Sequence, residues 1–140
     1  MNNLKFRAWD TMRKEISSVR GVRWEHGGIM VDCANGHRIR TVPLKEVKIM
    51  QYTGLKDKNG KEIFEGDIVE FTDKIVGSPI ICNGYVTKNI EGKFIIEPIE
   101  DYNDIGYWTL FWTIMNDSSL KITGNIYENE ELLKGEIKNE

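Results

Sequence analysis

The feature that most constrains this chain is a reversal at Lys56-Asp57-Lys58-Asn59-Gly60-Lys61, set between two runs rich in β-branched and aromatic residues, Val47 to Thr53 and Glu62 to Thr72. Asp57 can accept hydrogen bonds from the backbone that follows it, and Asn59-Gly60 can take up the left-handed conformation that tight turns require. The two runs therefore predict a β-hairpin, with Val69 and Phe71 on one face of its second strand. Gly66-Asp67 interrupts that strand, which marks a bulge or sharp bend that lets a sheet curl.

Strand patterning continues on both sides of the hairpin. Leu4, Phe6 and Ala8 alternate with Lys5, Arg7 and Trp9, as in a half-buried strand, and Asp10 to Lys14 reads as a turn. Shorter strand candidates follow at Ile16–Arg20, Ile29–Cys33 and Arg38–Val42, separated by Gly27-Gly28 and Asn35-Gly36 and closed by Pro43. Beyond the hairpin, strands are expected at Ile80–Lys88 and Lys93–Glu97, with Asn89 to Gly92 as the turn between them. Leu120, Ile122, Gly124 and Ile126 alternate against polar neighbours and predict one more. Glu100 to Asn116 combines Asp101, Asn103, Asp104 and Gly106 with YWTLFWTIM, and predicts a loop followed by a strand. Asn129 is placed to cap a short C-terminal helix with Glu130 and Glu131 in its first turn, Leu132 and Leu133 on its apolar face, and Gly135 as its stop.

The fold class that follows is mainly β, either a curled antiparallel sheet or an SH3-like barrel, possible as two lobes, with a short C-terminal helix. One domain is expected over residues 1–140, divisible into an N-terminal β lobe of about 1–48 and a main lobe of about 49–135. Hydrophobic residues make up 40% and charged residues 29% of the 140, a globular composition, and no apolar run reaches the roughly 18 residues of a membrane span. MNNLKFRAWD carries neither a basic leader nor an apolar core, so a cytoplasmic protein is expected. Cys33 and Cys82 lack close partners and are expected to be reduced, buried, small hydrophobes.

Chemistry-bearing patterns are sparse. His26, His37 and Cys33 lie near one another in sequence, but three unpaired candidates fall short of the four ligands of a structural zinc site. A calcium loop at Asp57 would put Lys61 at a ligand position. No G-x-S-x-G, P-loop or G-x-G-x-x-G occurs. Glu65 and Asp67 lie two apart beside Gly66 and are expected to serve the bend before any acid/base reaction. No catalytic residue, metal, cofactor or small-molecule ligand is therefore expected.

Charge is the most informative functional signal. Residues 1–62 carry a net +6 and residues 63–140 a net −9, and all six arginines lie between Arg7 and Arg40. Arg20, Arg23, Arg38, Arg40, Lys45 and Lys48 form a candidate phosphate-binding set, with Trp24 among them. The alternative is that this basic part pairs with the acidic part, within one chain or between subunits. Tyr107, Trp108, Phe111 and Trp112 are candidate interface residues, since the aspartates around them would repel a nucleic-acid backbone. A homo-oligomer is the expected partner, and nucleic acid the runner-up.

MQYTGLKDKNGKEIFEGDIV at Met50 to Val69, KFRAWD at Lys5 to Asp10 and ITGNIYENEELL at Ile122 to Leu133 resemble, in the same order, the hallmark segments of the YopX family of phage and prophage proteins. The resemblance implies an all-β, barrel-like fold and a phage or prophage origin, hence a bacterial host cell. It brings no catalytic residues, and residues of about 72–118 are not matched to it residue by residue.

Overall fold

The structure, a computed structural model, describes residues 4–75, 78–100, 106–116 and 119–134. The chain divides into two compact units, Met1–Tyr52 and Thr53–Glu140. Both are built from antiparallel strands, and the fold is mainly β.

The N-terminal unit is a meander of β1 (Phe6–Asp10), β2 (Glu15–Glu25), β3 (Gly28–Asn35), β4 (Arg38–Pro43) and the first part of β5 (Val47–Lys56), in the sheet order β4-β3-β2-β1-β5. Its turns follow from local chemistry. Asp10 Oδ1 accepts the N–H groups of Met12 and Arg13, each at 3.0 Å, which closes the β1–β2 turn. Between β2 and β3 it is His26 and Gly27 that take positive φ, 55° and 78°, in place of the expected Gly27-Gly28. That two-residue reversal matches the twist of the flanking strands. Ala8, Val31, Cys33, Val42 and Val47 form the buried apolar cluster of this unit, with Val19 against it. The expected half-buried β1 is buried more completely: Ala8, Trp9 and Asp10 are consecutive buried residues, on a strand that runs between β2 and β5.

The C-terminal unit begins within β5, whose second part carries β6 (Glu62–Phe64) beside it; the hydroxyl of Thr53 donates to the carbonyl of Ile63 at 2.7 Å. Its main sheet runs β10-β9-β8-β7-β11, from β7 (Asp67–Ile75), β8 (Ser78–Lys88), β9 (Phe94–Pro98), β10 (Trp108–Thr109) and β11 (Lys121–Asn125). Val69, Phe71, Cys82, Val86 and Ile96 are the sheet's members of the buried apolar cluster of this unit, joined by Ile63, Leu110 and Leu120. Gly84 faces Ile96 and the Glu97 carbonyl so closely that a Cβ there would overlap both. Both sheets are open: β4 bounds the first, and β10 and β11 bound the second, so the described strands form curled antiparallel sheets and no closed barrel.

Two expectations are corrected. The expected strand is confined to the two residues of β10, after which the chain turns into helix α1 (Leu110–Asn116). Leu110 and Thr113, three apart, are its buried residues, and that spacing on an apolar core outweighs the β preference of its Thr, Ile and aromatic residues. The expected short C-terminal helix is present as a 3-10 segment, Glu130–Lys134; what is corrected is the task of the Asn129 side chain. Asn129 Oδ1 instead accepts the backbone N–H of Asn125 at 3.0 Å. Gly135, the expected stop, lies outside the described residues, as do residues 101–105 of the expected loop.

Candidate binding surfaces

The most distinctive sequence segments turn out to be joined. Asp57 Oδ1 accepts the N–H groups of Asn59 and Lys61, each at 2.9 Å, while Oδ2 accepts Ile122 N–H at 3.0 Å across 65 residues. Lys58 N–H donates to the Leu120 carbonyl at 2.9 Å. Burial works to raise the Asp57 pKa, but the donors Ile122, Lys61 and Asn59 and the Lys61 charge together bring it below the ordinary carboxylate value. At the next bend Gly66, with φ 90°, donates its N–H to Val86 and accepts from Ile126, both at 2.8 Å. Asp67 Oδ2 accepts Phe64 N–H at 2.8 Å. Asn125 Oδ1 receives the N–H groups of Tyr127 and Glu128, at 3.0 and 2.8 Å. These polar residues are occupied in holding β11 and the hairpin together.

The basic set is distributed over both faces of the first sheet. Directly paired residues on neighbouring strands share a face. Arg40 pairs with Cys33 and Arg38 with Asn35, so both arginines lie on the face of Val31 and Cys33. Arg23 pairs with Met30 and Lys48 with Trp9, on the opposite face. Three arginines meet carboxylates. Arg40 Nη1 stands 2.7 Å from Asp10 Oδ2, and Asp10 is 1% exposed. Burial pushes the Asp10 carboxyl up, yet the Arg13 N–H, the Arg40 guanidinium and the Met12 N–H outweigh it and hold its pKa below the ordinary value. Arg38 meets Glu15 at 3.3 Å, and Arg23 meets Asp32 at 3.3 Å and the Thr41 hydroxyl at 3.2 Å. Arg20, Lys45 and Lys48 are exposed and have no acidic partner among the described residues.

The aromatic set is divided differently. Trp108 is half-buried: its ring meets Phe71 edge-on, with centroids 4.8 Å apart, and its Nε1–H donates to Asp73 Oδ2 at 2.8 Å. Tyr107, Phe111 and Trp112 are exposed, by 52%, 57% and 67%, and Met115 of the same helix is exposed too. Helix α1 thus turns an apolar face outward, with a cleft on either side. One, of about 520 Å³, is lined by Phe71, Thr72, Asp73, Trp108, Trp112, Thr113 and Asn116. The other, of about 420 Å³, includes Leu55, Phe94 and Phe111. Sequence reasoning missed Asp73. The signal was present, since Asp73 continues the face-alternation of Val69 and Phe71 and so places a carboxylate on the apolar side of a strand.

Cys33 and Cys82 are free and buried, each in the core cluster of its own unit. Burial, followed by the nearby charge of Asp73, pushes the Cys82 thiol up to about 11. Among the described residues no group of three or more His, Cys, Asp or Glu side chains could hold a metal ion. No helix there is long and apolar enough to cross a membrane.

Comparison with known proteins gives the chain a family match. The family model described as YopX protein matches residues 5–134. A crystal structure of protein EF1440 from Enterococcus faecalis is similar with a TM-score of 0.60 and 28% identity, covering 95% of this chain and 99% of that one. The X-ray structure of yopX from Bacillus subtilis is similar with a TM-score of 0.58 over 94% of this chain and 98% of that one, and at 18% identity it speaks for the fold alone. No curated protein matches the chain.

Proposed function

The chain belongs to the YopX family, and from that premise we propose that it is a non-enzymatic binding and assembly module, which associates with further copies of itself through the opposite charge of its two units and the exposed face of α1. On this reading it is a phage or prophage protein at work in the cytoplasm of a bacterial host. The observation that carries the reading is the charge division. Residues 1–52 hold ten basic and five acidic side chains, and residues 53–140 hold nine basic and seventeen acidic ones. A net +5 and a net −8 in one chain attract each other between copies, steering encounter and fixing orientation. The outward face of Tyr107, Phe111, Trp112 and Met115 provides the apolar contact that such an encounter needs to persist.

Light scattering tests this directly. A mass above the 16.2 kDa of one chain is expected at low salt, with a fall toward it as salt is raised. A single-chain mass at both extremes contradicts the reading.

The exposure of Arg20, Lys45 and Lys48 favours a second reading, nucleic-acid binding through the basic unit. These three residues make the sharper test, because Arg40 has a structural task beside Asp10. A gel shift at low salt that survives replacement of all three by Glu, or no shift at all, removes this reading.

A further inference from the structure

The cleft between β7 and α1 combines groups that suit one ligand chemistry. Trp108, Trp112 and Phe71 give it aromatic walls, Asp73 contributes a carboxylate, and Thr72, Thr113 and Asn116 add neutral polar groups. No lysine, arginine or histidine is among its described lining residues. The Trp108 Nε1–H bond to Asp73 Oδ2, at 2.8 Å, holds indole and carboxylate in fixed relation before any ligand arrives. Trp112, in contrast, is 67% exposed and borders the opening. A volume of about 520 Å³ accommodates a planar cation on an alkyl stem.

We propose that this cleft receives the guanidinium of an arginine side chain presented by a second copy of the chain, a proposal that rests on the assembly reading and names its contact. A guanidinium stacks on an indole face and directs N–H groups at a carboxylate in the same plane, whereas a lysine ammonium has no plane to stack. An anionic ligand would meet Asp73 in the unit of net −8. The donor comes from the basic unit. Of its arginines, Arg13 and Arg20 are exposed and have no acidic partner among the described residues; Arg23, Arg38 and Arg40 are already ion-paired. Charge complementarity between the copies therefore joins one chain's Arg13 or Arg20 to the other's Asp73.

Two arms on the full chain test the site and the source separately. In the first, Nα-acetyl-arginine amide is titrated against the tryptophan fluorescence of the protein, with the citrulline analogue, which keeps the shape and loses the charge, as control. We expect saturation by the arginine compound with an affinity at least about tenfold above that for citrulline, and loss of that preference in Asp73→Asn and Trp112→Ala. The asparagine carbonyl can still accept from Trp108, and Trp112 lies at the surface, so near-UV circular dichroism should show both variants folded. Equal or absent binding of the two compounds by the wild-type chain overturns the site. In the second arm, light scattering at low salt should show Asp73→Asn and Arg13→Gln/Arg20→Gln each reducing the associated mass. Association unchanged in these variants overturns the second copy as the source of the arginine. A wild-type chain that is monomeric at every salt concentration yet prefers arginine amide over citrulline refutes the assembly reading and the second-copy source, while the cleft chemistry stands.

Discussion

The two units stabilise a buried carboxylate in different ways. In the N-terminal unit Asp10 is held by two backbone N–H groups and a guanidinium 30 residues away. In the C-terminal unit Asp57 is held by three backbone N–H groups, and Lys61 adds its charge as the least of the lowering influences. The first arrangement commits a cation to the fold, and the second leaves cations free of that task. Among the basic residues of the N-terminal unit, Arg23, Arg38 and Arg40 are occupied by carboxylates, while Arg13, Arg20, Lys45 and Lys48 are exposed with no acidic partner among the described residues.

The strongest way to break that distinction is Arg40→Ala. It leaves the Asp10 charge buried with only its backbone donors, and we expect a loss of about 3 kcal/mol in a denaturant titration. If Asp10→Asn in the same chain recovers none of that loss, the guanidinium is serving something other than Asp10. Asp57→Ala should follow, at about 2 kcal/mol, since the N–H groups of Asn59, Lys61 and Ile122 lose their acceptor together. Hydrogen exchange should show the Ile122 amide losing protection first, which separates this variant from a general loosening.

Acid should reveal both carboxylates at once. Each has a folded-state pKa below the ordinary value of 3.8, so the unfolded chain binds protons that the folded chain refuses. The stability they contribute is present above that value and is lost as pH falls from it through the lower folded-state pKa. Asp10→Asn and Asp57→Asn should each flatten the acid limb of the unfolding profile, and an unchanged limb in both would contradict the assigned cause. The smallest effect belongs to Lys61→Ala, expected within about 0.5 kcal/mol of the wild type. A loss comparable to that of Arg40→Ala would erase the contrast between the units.

Much of the local structure was legible because its causes are local. Asp57, Asn59 and Gly60 announce a reversal, Gly66-Asp67 announces a bend, and turn residues and patterning place β3, β4, β8, β9 and β11 close to their observed ends, whereas β2 runs on past the expected Arg20 to Glu25. The clamp from Asp57 to Ile122 was not legible, because it exists only once β11 has been laid beside β7. The Arg40 and Asp10 pair depends in the same way on strands β1 to β4 being in register. Helix α1 was misread for a different reason. Its residues favour strands one by one, and the three-residue spacing of Leu110 and Thr113 becomes decisive only against a core that composition does not display. The basic cluster looked continuous in sequence because alternation was not yet assigned a face; pairing then put Arg38 and Arg40 on one side and Arg23 and Lys48 on the other.

The claim that opposite charge on two units drives assembly is tested most directly by sedimentation equilibrium of the intact chain over a salt series. The account predicts species heavier than 16.2 kDa at low salt, with an association constant that falls steadily as salt rises and is weaker throughout for Arg20→Glu. A 16.2 kDa species at every salt and protein concentration, or an association that strengthens with salt, would contradict it.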